Sequence, residues 1–562
     1  MSDQGHWSLT ADAIGPQSTD RAARTARRHR DGTLCSIGRG NLRPVKGPKA
    51  LCARLPAAHD RDMDETPATT DGAAPGWAGV GDASAEIRET HTGIVVLIGD
   101  RAYKVKKPIV TDFLDFSTPD RREHACKREV TLNSRLAPSS YLGIAHLSDP
   151  RGGLAEPVIV MRRYPDAARL SSLVKGGELV EDHLHAIAEM LARFHDDAGR
   201  GRTIDGHGTV DAVAARWQEN ISELQRFAGT VVSAESIRDV QRLATQFMSG
   251  RAVLFTQRIT ERRIVDGHAD LVADDIFCLP DGPVLLDCLE FDDHLRYVDG
   301  IDDAAFLAMD LEFLGRKDLG EYFLDEYSRL AGDSAPPALK DFYIAYRAVV
   351  RAKVDCIRVA QGHPDAAADA QRHIDIALDH LRAGAVRLIL VGGGPGTGKT
   401  TLARSLAEQV GAQVISTDDV RRDLQAVGVI DGEPGVLNTG LYTAPNVAAV
   451  YDAVLRRARI HLCRGESVIL DGTWRDSRQR QRTHELADQT ASTMLEFVCA
   501  ATQDTAAARI QNRTNTTSDA TPQIAAAFSG SDAQWRDAHL IDTTRPVDDS
   551  VAEAQELCCL AV

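Results

Sequence analysis

The sequence predicts two folded regions of different class behind a disordered tail: a mixed α+β domain over 84–383 that ends in a helical linker, and an α/β domain with a parallel sheet over 384–562. Three observations predict this. Apolar strands alternate regularly with helical patterns only beyond residue 384. Before it, hairpin signals and long helical patterns come in separate groups. Residues 1–83 are rich in Arg, Ala, Gly, Asp and Pro, with few large aliphatic residues and no sustained periodicity.

Size and composition bound the answer. At 562 residues the chain is long enough for three or four units of about 150 residues, or for two large ones. Hydrophobic residues make up 43% and charged residues 26%, as in a soluble globular protein. A formal charge of -16 argues against a surface that tracks a nucleic-acid backbone. The ten cysteines are scattered without a CxxC pair, which speaks against a disulfide framework or a zinc centre and suits a reducing cytoplasm. No apolar run approaches the roughly 18 residues of a membrane span, and MSDQGHWSLTADAIG lacks the order of a signal peptide. The basic cluster Arg21–Arg30 is interspersed with nearby acids and reads as a solvated tail.

The elements follow in order. Gly93–Ile98, the turn Gly99-Asp100 and Arg101–Lys106 read as a β-hairpin. A helix follows from Pro119 to Leu136, then a strand at Pro157–Met161, then a long helix with Leu184, Ile187, Met190, Leu191 and Phe194 on one face. Ile276–Leu279, Pro280-Asp281-Gly282 and Val284–Asp287 predict a second hairpin, and the helical linker spans Ala366–Leu381. The parallel strands are expected at Val386–Val391, Gln413–Ser416, Ser467–Leu470 and Leu495–Cys499.

The chemistry is most legible at Gly393-Gly394-Pro395-Gly396-Thr397-Gly398-Lys399-Thr400-Thr401. This GxxxxGK[ST] run follows an apolar strand and opens a helix, the context in which glycines let backbone N–H groups cradle phosphates. Lys399 would reach the β/γ-phosphates of ATP, and Thr400 would ligate Mg2+. The next strand ends in Ser416-Thr417-Asp418-Asp419-Val420-Arg421. There Asp418 could take the proton of an acceptor hydroxyl and Arg421 hold the acceptor, or the two could form an N-cap with a nearby ion pair. Asp471, at the tip of an apolar strand, is the candidate for the magnesium-bound water network. Arg509 and Arg513, four apart, could close over the phosphates as a lid.

Together GGPGTGKTT, STDDVR, VILDGT and the Arg509/Arg513 pair resemble the small P-loop kinases related to gluconate kinase and the polynucleotide 5′-hydroxyl kinases, over roughly Val386–Thr544. The resemblance implies an Asp base at Asp418 and an acceptor-binding Arg at Arg421. It does not choose the acceptor.

In the first domain Lys104 and Lys106 lie on one face of a strand, and Glu129 on the following helix is the best-placed partner for a phosphate-holding lysine. His268-Ala269-Asp270 with Asp275, then a hairpin and Asp287, follows the order of a kinase catalytic loop and its metal-binding Asp. Asp270 takes the base position, and Asp275 and Asp287 the metal positions. With Phe113–Phe116, Leu136–Gly143, Leu191–His195 and Leu289–Asp293, this region resembles the aminoglycoside phosphotransferase family, and the whole chain resembles bacterial two-part proteins in which such a domain precedes a P-loop kinase. The resemblance implies a bilobal kinase-like fold with ATP between its lobes. Asp275 departs from the family's Asn, and its added charge should raise the pKa of one neighbouring carboxylate unless metal is bound. His195 and the Asp292/Asp293 pair read as structural.

The expected activity is ATP- and Mg2+-dependent phosphorylation of a small-molecule acceptor, a sugar or related alcohol, by the C-terminal domain in the cytoplasm, with no nucleic-acid or membrane partner. Three alternatives stay open: a polynucleotide 5′-hydroxyl kinase, an ATP-driven switch, and the first domain as the main kinase.

Overall fold

The structure is a computed structural model that describes residues 85–89, 92–110, 115–147, 155–433, 439–512, 535 and 537–562. The expected tail lies outside these residues.

A five-stranded antiparallel sheet opens the described chain. Its strands are β1 (Glu86–Glu89), β2 (Gly93–Ile98), β3 (Arg101–Lys106), β4 (Tyr141–Leu147) and β5 (Glu156–Arg162), in the order β1-β2-β3-β5-β4. The β2/β3 hairpin turns at Gly99-Asp100 as expected, with Gly99 at φ +57°. The helix Pro119–Asn133 packs on this sheet, started by the Thr118 side chain and by Pro119 in its first turn. It stops one turn short of the expected Leu136. Asn133 Oδ1 accepts the Cys288 amide at 2.8 Å, and Ser134 folds its hydroxyl back on Val130.

A helical lobe follows. The helix Glu181–Asp197 buries Leu184, Ile187, Leu191 and Phe194 against the helix Lys317–Leu330 and its neighbours. Two short antiparallel pairs are set into this lobe: β6 (Ile264–Asp266) with β9 (Tyr297–Asp299), and β7 (Ile276–Leu279) with β8 (Gly282–Leu285). They hold the segments that carry His268, Asp270 and Asp275 and, after β8, Asp287. The sheet and the helical lobe together form the α+β bilobal kinase-like arrangement.

The helix Ala366–Ala383 leads into β10 (Arg387–Gly392), every residue of which is buried. With β11 (Gln413–Ser416), β12 (Val468–Asp471), β13 (Thr493–Ala500) and β14 (His539–Asp542) it forms a five-stranded sheet in the order β11-β12-β10-β13-β14, and every pairing is parallel. This is the α/β P-loop fold. A continuous apolar run such as β10 is what a central parallel strand covered on both faces requires. The strand β14 was not anticipated, because His539-Leu540-Ile541-Asp542 buries only Ile541 and offers no apolar run.

The two halves meet tightly. Gly250, at the end of the helix Ala234–Ser249, lies so close to the Thr490 carbonyl that a Cβ there would come within 2.0 Å of the oxygen. Beside it the buried Arg251 donates from Nη1 to Thr490 O at 2.6 Å. Contacts of this kind join the described residues into one compact unit, across the expected boundary at 383/384. Among the described residues no helix is long and apolar enough to cross a membrane.

Candidate active sites

The parallel sheet brings the carboxyl ends of β10, β11 and β12 side by side, the edge at which open α/β sheets bind ligands. From the tip of β10 the chain turns through Gly393, Gly396 and Gly398 at φ +129°, +80° and +88°. A Cβ on Gly396 would lie 2.5 Å from the Ala506 carbonyl oxygen, so the loop can be pressed against its neighbour only with glycine there. The helix Lys399–Val410 starts directly from Gly398, with Thr401 exposed on its first turn. Lys399 Nζ donates to Gly394 O at 2.8 Å, inside the loop it belongs to. Thr397 donates to the same carbonyl at 2.9 Å, and the half-buried Pro395 lies between the two glycines.

Thr400 Oγ1 donates to Asp471 Oδ2 at 2.7 Å. This pairs a hydroxyl with a carboxylate, a donor set suited to a hard cation that keeps water and phosphate ligands. Burial raises the Asp471 pKa, opposed by Lys399 and the Thr400 hydroxyl, and the charge of Asp418 adds to the rise. A cation at this position would offset that burial cost.

Arg509 sits on a helix packed beside the glycine loop. It donates from Nη2 to Thr543 O at 2.7 Å and lies beside Gly398, and its buried Nη1 has no hydrogen-bond partner. An unpaired guanidinium nitrogen at the phosphate loop is what an anionic ligand would satisfy. Its helix, Gln503–Gln511, ends two residues before Arg513, which lies outside the described residues. Thr543, which the sequence reading missed, braces the loop by donating to Thr397 O at 2.6 Å. Only its place after the unforeseen β14 could have found it.

On β11 the N-cap of the helix Thr417–Ala426 is Ser416, not Asp418: its hydroxyl accepts the Asp418 amide at 3.3 Å. Asp418 Oδ1 pairs with Arg421 Nη1 at 2.5 Å, the ion pair left open as an alternative. Arg421 is buried, lies 4.5 Å from the centre of the Tyr442 ring, and has an Nε without a partner. Tyr442 carried no signal in the sequence, because nothing in its spacing ties it to Arg421. The buried Trp474 sits at φ +51°, with Nε1 donating to Leu470 O at 3.0 Å behind the β12 tip.

The kinase-like site lies between the antiparallel sheet and the helical lobe. Lys104 Nζ is 2.9 Å from Glu129 Oε1 and 2.5 Å from Asp287 Oδ1. Lys106 Nζ is 2.7 Å from Glu129 Oε2 and also contacts Glu290, a residue the sequence reading did not single out. Glu129 is fully buried and bridges both ammonium groups. Burial opposes the charge on Lys104, but Asp287 and Glu129 outweigh it and hold its pKa well above the usual value. Asp287 sits at φ +66°, a conformation costly for a residue with a side chain.

The catalytic-loop residues are held from behind. His268 is fully buried, with Nε2 donating to Leu286 O at 3.1 Å and Nδ1 accepting the Asp270 amide at 3.3 Å. Burial lowers its pKa, consistent with this neutral ring. Asp303, also missed in the sequence, accepts the His268 and Ala269 amides at 2.6 and 2.7 Å. Burial first, opposed by Arg351 and Arg347, pushes Asp270 up to about 6. Burial, then Asp287 and Asp270, push Asp275 well above the carboxylate range, the rise its departure from Asn implied. His195 and Asp292/Asp293 make structural contacts: His195 bonds Tyr327 and Asp303, Asp292 caps a short helix, and Asp293 pairs with Arg128 and Arg296.

A family model described as an AAA domain matches residues 388–533, which include the phosphate loop, Asp418, Asp471 and Arg509. Among solved structures, a gluconokinase from Sinorhizobium meliloti is 18% identical and covers 31% of this chain and 93% of its own, with a TM-score of 0.24. A choline/ethanolamine kinase family protein from Mesorhizobium loti is 16% identical and covers 55% and 94%, with a TM-score of 0.33. The uncharacterized protein Rv2004c of Mycobacterium tuberculosis is 61% identical over 472 residues, which are 84% of this chain and 95% of the relative. At that identity and coverage, the chain belongs to the same protein family as mycobacterial Rv2004c.

Proposed function

We propose that the C-terminal domain is a kinase that transfers the γ-phosphoryl group of ATP to a hydroxyl of a small molecule, a sugar or related alcohol. The observation that carries this reading is the neighbourhood made by the strand order: Asp418, in the first turn of the helix that follows β11, pairs with Arg421, and the adjacent strand β12 ends in Asp471, which accepts from Thr400. A phosphate loop alone would fit a motor or a switch. An Asp–Arg pair beside the metal-binding position fits an acceptor.

In this reading the backbone amides of Gly394–Thr400 and Lys399 hold the β/γ-phosphates, and Arg509 Nη1 gains its missing partner there. Thr400 and Asp471 would hold Mg2+, which when bound would supply positive charge against the phosphates. Arg421 grips Asp418 through Oδ1, which leaves Oδ2 to take the hydroxyl proton. The acceptor oxygen forms its bond to the γ-phosphorus as the bond from that phosphorus to the bridging oxygen breaks, and ADP leaves. Catalysis is mostly positioning and charge stabilisation.

The test uses the full-length protein, γ-labelled ATP and Mg2+ with a panel of sugars and polyols, and a 5′-hydroxyl oligonucleotide as a separate arm. Lys399→Met and Asp418→Asn are each expected to abolish the labelled product, and Asp270→Asn to leave it or to remove a second, distinct one. Full activity of Lys399→Met would overturn the assignment, and labelling confined to the oligonucleotide would replace the acceptor class.

A further inference from the structure

Behind the loop that carries Asp270, a cleft of about 550 Å³ opens between the helix Glu181–Asp197 and the helix Lys317–Leu330. That volume is within the range of small-molecule sites. His195 and Tyr327 form part of its wall, and Arg200, Arg262 and Arg263 line it.

Two of these three arginines, Arg200 and Arg263, are oriented by carbonyl oxygens, and among the described residues none of the three forms an ion pair. Arg200 spends its donors on carbonyl oxygens, from Nε to Arg262 O at 3.0 Å, from Nη1 to Asp196 O at 2.7 Å and Ala198 O at 3.0 Å, and from Nη2 to His195 O at 2.6 Å. Arg263 donates to Ala331 O at 3.0 Å and Gly332 O at 2.5 Å, and its buried Nε has no partner. Carbonyls fix a guanidinium in place without cancelling its charge. Of the carboxylates on the wall, Glu189 pairs with Arg193, and Asp333 shares Arg258 with Asp299. Asp196 and the shared Asp333 are left to face three cations.

Arg262 supplies an independent observation. It stands at φ +60°, just past the end of the helix Ala252–Thr260, at the left-handed position where glycine is favoured. The helix dipole favours a cation here but does not require this backbone conformation. A strained side-chain-bearing residue on the lip of a basic cleft points to a use for the side chain.

The cleft is wired to the catalytic loop. Tyr327 donates its hydroxyl to His195 Nδ1 at 2.7 Å, and His195 Nε2 donates to Asp303 Oδ2 at 2.9 Å. Asp303 accepts the His268 and Ala269 amides, the two residues before Asp270. We propose that this cleft binds a compact polyanion carrying two or more phosphate or carboxylate groups, and that its occupancy steadies the loop at Asp270. The site is separate from both nucleotide positions, and the proposal stands independently of the C-terminal assignment.

The test uses the full-length chain carrying Lys399→Met, so that the phosphate loop does not compete for the probe. Inorganic pyrophosphate and citrate are titrated by calorimetry at constant ionic strength, and hydrogen exchange of the His268 and Ala269 amides is followed. At least one probe is expected to bind and to slow exchange at both amides. Arg262→Gly, which relieves the backbone, and Arg262→Ser, which does not, should each weaken binding by about tenfold, the effect of losing one charge-assisted contact, and Arg262→Lys should recover part of it. Preference for pyrophosphate identifies a phosphorylated ligand, and preference for citrate a carboxylate. No binding by either probe, equal affinity in the Arg262 variants, or binding without slowed exchange would each overturn the proposal.

Discussion

The two nucleotide-type sites of this chain are built from different materials. At the C-terminal site the anion cradle is backbone: glycines at positive φ turn amides inward, and Lys399 rests on a carbonyl of its own loop. At the kinase-like site the machinery is side chains that already satisfy one another, with Lys104 and Lys106 locked between Glu129, Asp287 and Glu290. A phosphate arriving at the first displaces only the bond of one ammonium to a neutral carbonyl. At the second it must draw Lys104 away from Asp287, and a cation must offset the carboxylates of Asp270, Asp275 and Asp287. Readiness without ligand therefore belongs to the site set on strand tips. The steepest contrast is expected between the two lysines. Lys399→Met should lower the main phosphorylation rate by roughly 10³-fold, the loss usual for a donor on developing transition-state charge, and Lys104→Met should leave that product in place. Equal losses in both variants, measured by labelled-product formation, would show that the sites work as one.

The same contrast reverses for stability. Glu129 is the hub of the kinase-like site, and Glu129→Ala would leave two ammonium groups buried against a cavity. Breaking a buried ion pair from one side costs about 3–5 kcal/mol, read by denaturant unfolding. The phosphate loop has no comparable hub, since its lysine binds a backbone oxygen.

What could be read in the sequence follows from the same difference. The glycine loop between β10 and its helix was legible because its signal is local: glycines, Lys399 and Thr400 are contiguous, and a strand and a helix announce themselves on either side. Lys104, Glu129, Asp270 and Asp287 were legible by order and spacing, although Glu129 meets the lysines only through tertiary packing. Braces reached across space were not legible. Thr543 supports Thr397 from a strand with no apolar run, Asp303 holds the catalytic loop from a helix buried nearly all round, and Tyr442 covers Arg421 from beyond an intervening segment. Each is an ordinary residue type, and the group it supports is distant in the chain. For Arg509 periodicity placed the residue on a helix face without saying what that face meets, which is the start of the helix at Gly398.

Proton linkage sharpens the comparison at a smaller scale. Asp270 is raised from its ordinary 3.8 to about 6, chiefly by burial, so the folded state keeps a proton that the unfolded chain releases. The stability this group contributes is fully present below about pH 4 and is lost as pH rises to about 6. Asp270→Asn should flatten that slope and raise stability at pH 7 by on the order of 2–3 kcal/mol. Urea unfolding at several pH values checks it, and a slope unchanged in the variant would assign the proton elsewhere in the site.

The smallest expected effect concerns the seam between the regions. Gly250 has φ at an ordinary negative value, so alanine there is not strained by the backbone and even gains a little from a less flexible unfolded chain. Its Cβ would nevertheless strike the Thr490 carbonyl, the same oxygen that receives Arg251 Nη1. Overpacking of this kind costs about 1–3 kcal/mol, and the entropic gain trims that toward the lower end. The cost falls on the contact between the halves, not on either core. Gly250→Ala should therefore split the thermal unfolding of the full chain into two transitions, with the phosphate-loop half identified by its shift on adding ATP and Mg2+. A single transition lowered as a whole would mean that the seam is part of one cooperative core, and that the two sites differ in chemistry but not in their folding.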